Sequence, residues 1–168
     1  MKTNLSKWIA VGAAAALLTG CGGGDADGPT VTRPAAVEAP TPVTSITITG
    51  NDRMQFDPTE FVVEAGTEIT VTFRNIGSMP KETMGHNLAF LDGTVDPIAF
   101  ANAALRYADN EFIPSQYEDR VIAATKVLGP GEEEVLVFTA PEEAGEYPFV
   151  CSFTGHTQAG MRGIMTVQ

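Results

Sequence analysis

The sequence is poor in cysteine, histidine and basic residues. Its 168 residues include 2 cysteines, 2 histidines and 10 lysines and arginines, against 21 aspartates and glutamates. This excess of negative charge repels nucleic acid and argues against a nucleic-acid-binding role, whereas it would attract basic proteins. With 43% hydrophobic residues the chain is not disordered, and its length suits one domain with one core.

The N-terminus contains no hydrophobic run long enough to cross a bilayer. The apolar run at residues 9–18 follows two lysines and leads into Leu18-Thr19-Gly20-Cys21, which is typical of a secretory signal. These four residues resemble the lipobox of bacterial lipoproteins, which implies that residues 1–20 are removed as a signal peptide and that Cys21 carries lipid. The alternative is an ordinary cleaved signal with an incidental cysteine.

Residues 21–43 lack any apolar side chain larger than valine and consist mostly of Gly, Ala, Pro, Thr and Asp. Such a segment cannot bury enough surface to fold, so it predicts a flexible tether between the lipidated cysteine and a domain at residues 44–168. Gly22 stands where an aspartate often retains lipoproteins in the inner membrane, which favours an outer-membrane or cell-surface location if the host has two membranes. We therefore expect an exported protein, lipid-anchored to a membrane facing the periplasm or the cell exterior.

After the tether, apolar and polar residues alternate in short segments, as at Ile69, Val71 and Phe73. This period of two, with turn-forming pairs such as Ala65-Gly66 between the segments, predicts an all-β sandwich. The predicted strands contain residues 46–48, 61–63, 69–73, 86–91, 121–125, 135–139, 147–151 and 163–167.

One segment breaks the alternation and predicts a short helix inserted between strands. Asp96 can cap this helix, with Pro97 in its first position. The residues expected on its apolar face are Ile98, Ala101, Leu105 and Ala108.

The few metal-binding side chains lie close together in sequence. Cys151, His156 and Met161 fall within eleven residues, and His86 is the only other histidine. A thiolate, two imidazoles and a thioether are the ligands of a trigonal copper site with a weak axial methionine. Taken singly, His86 could be a surface residue, Met161 a core residue and Cys151 a buried small hydrophobe. Their joint occurrence favours a copper site, because Cys151 has no disulfide partner once Cys21 carries lipid.

Two motifs carry a family resemblance. Met84-Gly85-His86-Asn87 and Cys151-Ser152-Phe153-Thr154-Gly155-His156 resemble the ligand motifs of azurin, and the likeness covers about residues 46–168. Further matching segments, in the same order, are Met54-Gln55-Phe56, Met79-Pro80-Lys81, Asp119-Arg120-Val121-Ile122-Ala123 and Thr125-Lys126. The resemblance implies a cupredoxin Greek-key β-sandwich, one type 1 copper alternating between Cu(I) and Cu(II), and transfer of single electrons.

The resemblance also implies a role for each ligand. It makes His86, Cys151 and His156 the equatorial ligands, with Met161 axial and the carbonyl of Gly85 on the opposite axial side. Asn87 would hold the ligand loop and donate a hydrogen bond toward the Cys151 sulfur.

A docking surface is implied as well. In azurin the second histidine lies nearest solvent, so electrons would enter and leave through His156 at the centre of an uncharged patch, and such patches often mark interaction sites. The residues that match this patch are Met54, Met79, Met84, Phe153 and Ala159.

Three features depart from azurin. Four residues instead of three separate His156 from Met161, a loop more like that of auracyanin. Thr154 stands where azurin has proline, and azurin's disulfide has no counterpart here.

We therefore expect an electron carrier and not an enzyme, since the chain has no third histidine for a further copper centre. The expected partners are redox proteins such as c-type cytochromes, respiratory or photosynthetic complexes, or reductases, and the membrane through the lipid anchor. A copper chaperone or storage protein is the alternative, although it would favour Met-rich or His-rich tracts, which are absent. A metal-free structural sandwich would make the ligand set a coincidence.

Overall fold

The computed structural model describes residues 40–168. The predicted signal peptide, Cys21 and most of the predicted tether lie outside these residues. Within them the elements are β1 Ser45–Asn51, β2 Gln55–Asp57, β3 Glu60–Val63, β4 Glu68–Asn75, α1 Lys81–Met84, β5 Ala89–Leu91, α2 Pro97–Ala104, 3-10 helices at Ala108–Asn110 and Ser115–Arg120, β6 Val121–Ala124, β7 Glu133–Thr139, β8 Gly145–Val150 and β9 Arg162–Val167. No helix among the described residues is long and apolar enough to cross a membrane.

Alternate apolar positions direct the strands into two layers. In β4, Ile69, Val71 and Phe73 are fully buried, while the two threonines between them are only half-buried on the other face. Successive side chains of a strand point to opposite faces, so one face of each strand enters the core. The predicted all-β sandwich is confirmed.

The two sheets have the orders β2-β1-β4-β7 and β3-β9-β8-β5-β6. The pairs β1–β4 and β3–β9 are parallel, and the other neighbours are antiparallel. Strand β2 was not predicted, because Phe56 is its only buried residue and three residues give no visible alternation. His86 lies before β5 and pairs only with Leu128 in an isolated bridge.

A cluster of phenylalanines joins the sheets. The ring of Phe149 on β8 lies 5.5 Å from that of Phe56, 5.8 Å from that of Phe61 and 5.4 Å from that of Phe90, measured between centroids. The tilted arrangements are those that aromatic quadrupoles favour. Truncating one such buried ring to alanine typically costs about 3–5 kcal/mol, so this cluster contributes strongly to the stability of the sandwich.

The predicted helix is present as α2, but its predicted apolar face is partly wrong. Asp96 caps it, since its Oδ1 accepts a hydrogen bond of 2.6 Å from the Ala99 N–H. Its buried residues are Phe100, Ala101 and Ala104, whereas Leu105 is 48% exposed. Phe100 determines this rotation, because its large ring packs against Tyr117 at 5.4 Å. Ala108 lies beyond the end of α2 and is exposed.

The parallel strand β1 runs toward the end of the sandwich that carries the candidate ligands. Its first residue, Ser45, pairs with Thr70, and its last residues reach the end of the sandwich where Gly50 lies against the side chain of Met161. Seven strand residues span about 20 Å. The described chain therefore enters the domain at the end opposite the candidate ligands.

Candidate metal centre

Two separate parts of the fold bring the predicted ligands together. His86 is fixed by a pair of backbone hydrogen bonds with Leu128, at 3.1 Å and 2.7 Å. Cys151 follows directly after β8, and His156 lies in the loop that returns to β9. His86 and Cys151 are 0% exposed and His156 is 3% exposed, so all three side chains are shielded from solvent.

The donor atoms of these three residues converge on one point. The Nδ1 atoms of His86 and His156 lie 3.1 Å apart, and the Cys151 Sγ lies 3.9 Å and 3.4 Å from them. Bonds of the length found for zinc, about 2.0 Å to nitrogen and about 2.3 Å to sulfur, hold three donors about 3.5 Å apart. The triangle therefore has the size that one metal ion requires.

The protonation chemistry of the histidines also fits a metal. Burial and the nearby His86 lower the pKa of His156 to about 4, and burial lowers the pKa of His86. Both rings are therefore neutral at pH 7 and able to bind a cation. His86 Nε2 makes no hydrogen bond of standard geometry. The Asn51 carbonyl lies near the ring and partly opposes the lowering of the His86 pKa by burial. At 3.1 Å the two facing Nδ1 atoms can either share one proton or, when both rings carry their proton on Nε2, bind one cation between them.

The Cys151 thiol is held in its neutral form unless a cation binds. Burial raises the pKa of Cys151 to about 12, while the backbone N–H groups of Asn87 and Phe153 favour the thiolate and partly oppose the shift. These two donors show how the site accommodates a thiolate once a metal supplies positive charge, since metal binding requires the deprotonated sulfur.

The loop that carries His156 is closed by backbone hydrogen bonds to Met161. The Cys151 N–H donates to the Met161 carbonyl at 3.0 Å, and the Met161 N–H donates to the His156 carbonyl at 2.9 Å. The Met161 side chain is fully buried, and a Cβ on Gly50 would lie 2.9 Å from its methyl group. The absence of a side chain at Gly50 therefore leaves room for Met161 at this end of the core.

Gly85 is buried directly beside His86. A Cβ at this position would lie 2.5 Å from a methyl group of Val127 and 2.6 Å from the Lys81 carbonyl oxygen. Close packing therefore requires glycine here, whatever its carbonyl does toward a metal.

Asn87 ties the two ligand-bearing segments together. Its Oδ1 accepts from the Ser152 N–H at 2.8 Å, and its Nδ2 donates to the Ser152 hydroxyl at 2.7 Å and to the Glu111 carbonyl at 2.8 Å. The group that donates toward the Cys151 sulfur is the Asn87 backbone N–H, and the side chain fixes the loop.

The residues of the predicted docking patch are all at least partly accessible. Met79 is 41% exposed, Ala159 is exposed, and Met54, Met84 and Phe153 are half-buried. Phe153 packs on a ligand ring, with its centroid 4.9 Å from that of His156.

Sequence reasoning missed Glu111 and Phe112. The Phe112 ring lies 5.0 Å from that of Phe153, and Glu111 contacts both Asn87 and Val127. Neither residue lies in a motif or a periodic segment, so the only usable signal would have been an aromatic residue in an otherwise polar stretch.

A β-sandwich that buries two imidazoles and a thiol at one end, with donor spacing suited to a single ion, belongs to the class of cupredoxin-type metalloproteins. This class combines a rigid all-β scaffold with the soft thiolate and borderline imidazole ligands that suit copper.

Comparison with known proteins gives the particular family. Residues 43–168 match the family described as copper binding proteins, plastocyanin/azurin family. The chain therefore belongs to the plastocyanin/azurin family, and it is a copper electron-transfer protein with one type 1 copper. The resemblance to azurin and the cupredoxin fold are both confirmed.

Individual relatives agree with this assignment. Azurin of Alcaligenes faecalis is 35% identical over 114 residues, which cover 66% of this chain and 88% of that protein. Outer membrane protein H.8 of Neisseria meningitidis serogroup B is 37% identical over 123 residues, or 72% of this chain and 66% of that protein. The chain thus spans about two thirds of the H.8 protein.

A solved structure shows the same fold. Dithionite-reduced auracyanin from the photosynthetic bacterium Roseiflexus castenholzii superposes with a TM-score of 0.68 at 36% identity, covering 76% of this chain and 99% of that one.

Proposed function

We propose that this protein is a membrane-tethered carrier of single electrons, in which His86, Cys151 and His156 would hold copper, with Met161 and the Gly85 carbonyl as further weak donors. The observation that carries the proposal is the convergence of two Nδ1 atoms and one Sγ within a shielded triangle. When bound, copper supplies a one-electron Cu(I)/Cu(II) couple.

The protein's own residues keep this centre rigid and dry. The Leu128 bridge fixes His86, and the Asn87 side chain fixes the residue that follows Cys151. The ligand side chains are at most 3% exposed, so solvent hardly reaches their donor atoms. A site of this kind is suited to electron transfer and not to catalysis on a bound molecule.

Electrons are proposed to pass through His156 and the docking patch around it. Met79 is the most exposed of the methionines in this patch. A small uncharged contact suits a partner that must dissociate after each transfer, because brief redox encounters use small interfaces. Basic redox proteins such as c-type cytochromes fit the acidic remainder of the surface.

Met79→Glu is expected to slow electron self-exchange at fixed ionic strength by at least about tenfold, because two negatively charged patches must then approach each other. The visible spectrum should stay the same, since Met79 is not a ligand. Val137→Glu is the matched control, because Val137 is 58% exposed and pairs with Thr70 at the tether end of the sandwich. Equal rates in the two variants would show that the encounter surface lies elsewhere.

The tether is proposed to attach to a membrane through lipid on Cys21. Similarity to an outer membrane protein supports an exported, membrane-associated protein. Because β1 enters from the end opposite the ligands, an anchor there would leave the docking patch free for partners. The partners would then be redox proteins of the same compartment.

Cys21→Ser is expected to move the protein from the membrane fraction to the soluble exported fraction, because serine cannot carry the thioether-linked lipid. The distribution is measured by fractionation and immunoblotting. Cys151→Ser is the control, since it changes the other cysteine and should stay with the membrane. Retention on membranes of a Cys21→Ser protein from which residues 1–20 have been removed would overturn the anchor.

A further inference from the structure

Glu111 and Phe112 form an unusual backbone feature next to the ligand loop. They are consecutive non-glycine residues with positive φ, 51° and 60°. L-residues rarely adopt this conformation because their Cβ crowds the following carbonyl, so it costs free energy that surrounding contacts must offset. The two residues lie between the 3-10 helices Ala108–Asn110 and Ser115–Arg120.

The first offsetting contact involves the backbone of Glu111. Its carbonyl accepts a hydrogen bond of 2.8 Å from Asn87 Nδ2. The same Nδ2 donates to the Ser152 hydroxyl, so both amide hydrogens of Asn87 are used and its orientation is fixed. Asn87 and Ser152 directly follow His86 and Cys151, so this contact joins Glu111 to both ligand-bearing segments.

The second contact involves the side chain of Glu111. Its Oε2 accepts from the Val127 N–H at 2.6 Å. The next residue, Leu128, holds His86 through two backbone hydrogen bonds. Phe112 adds a third contact, because its ring packs on Phe153, which in turn packs on the His156 ring.

An ordinary surface loop would also use a carboxylate to satisfy a nearby backbone N–H. Glu111 differs because both of its hydrogen bonds lead to His86. One is to Asn87, which follows His86 in the chain. The other is to Val127, which precedes Leu128, the residue that is hydrogen-bonded to the His86 backbone. Partners that orient metal ligands from outside typically affect metal affinity about 10- to 100-fold.

We propose that Glu111 is a positioning residue for the copper centre. Its hydrogen bonds hold the segments that carry His86 and Cys151 together, so that the distances between the ligand atoms stay the same in both oxidation states. This inference rests on the proposed copper site. It adds a residue, outside the ligand motifs, that determines how tightly copper is held and how little the site rearranges on electron transfer.

Three variants separate this role from simple loop stability. Glu111→Ala removes the acceptor for the Val127 N–H and keeps the backbone carbonyl, whereas Glu111→Gln retains a side-chain oxygen. Asp109→Ala is the matched control, because Asp109 is an exposed acid of the same segment. Circular dichroism and the Tm of each metal-free variant establish that it folds.

The readouts are the visible spectrum of the copper-loaded protein and the rate of copper release to an excess of chelator. We expect Glu111→Ala to shift the visible band and to release copper at least about tenfold faster, and Glu111→Gln to restore the wild-type spectrum and a rate within about threefold. Asp109→Ala should match the wild type. If Glu111→Ala lowers only the Tm and leaves both readouts at the Asp109→Ala values, Glu111 is structural and the proposal is wrong. A wild-type protein without an intense visible band would instead refute the copper site itself.

Discussion

Cys151→Ser is expected to abolish the intense visible band of the oxidised, copper-loaded protein. That band requires a thiolate bound to Cu(II), and a serine oxygen is a hard donor that cannot supply it. The variant should also hold copper far less tightly, because the fully buried Cys151 is the one ligand that contributes charge to the site. The measurement is the visible absorption spectrum after copper loading, with bound metal determined by elemental analysis.

A reciprocal control is available because the chain has only two cysteines. Cys21→Ser should keep the band at full intensity, since Cys21 lies outside the predicted domain. The metal-free Cys151→Ser protein must be shown to fold by circular dichroism, because a hydroxyl replaces a buried sulfur beside the Asn87 and Phe153 N–H groups. A folded Cys151→Ser variant that stays blue would overturn the thiolate assignment.

The sequence pattern was sufficient to predict the layers of the fold but not every element. Alternation identified β4 because every second residue, such as Val71, is apolar. It could not identify β2, whose three residues contain one buried ring. The apolar face of α2 was only partly predicted, because the position of Phe100 against Tyr117 depends on tertiary packing. Helix α1 has four residues and no buried side chain, so it leaves no apolar period to detect.

Residue type was the part of the site that the sequence made visible. A thiol and two imidazoles are rare enough in this chain that their spacing indicated a metal, and the structure brings His86, Cys151 and His156 together. The role of Glu111 could not be predicted in this way, since it depends on a positive φ and on hydrogen bonds to backbone groups. The close approach of Met161 to Gly50 likewise depends on packing between distant segments.

The metal-free protein is expected to lose stability as the pH falls from about 6.5 to about 4. The pKa of His156 is about 4 in the folded protein and 6.5 in an exposed histidine, so the unfolded chain binds a proton first. Stability is therefore full above the unfolded value and declines through this window, by up to about 3 kcal/mol at 1.36 kcal/mol per pKa unit. His86, whose pKa burial also lowers, acts in the same direction.

Copper should remove most of this decline, because a metal held by both Nδ1 atoms keeps the rings unprotonated and stabilises the folded state by mass action. Urea unfolding of metal-free and copper-loaded protein at pH 7, 5 and 4 tests the expectation. His156→Gln is the control for changes in overall charge, since it cannot take up the proton, and its metal-free form should show a shallower decline. Parallel pH profiles for the metal-free wild type and His156→Gln would show that protonation of His156 is not the source of the acid sensitivity.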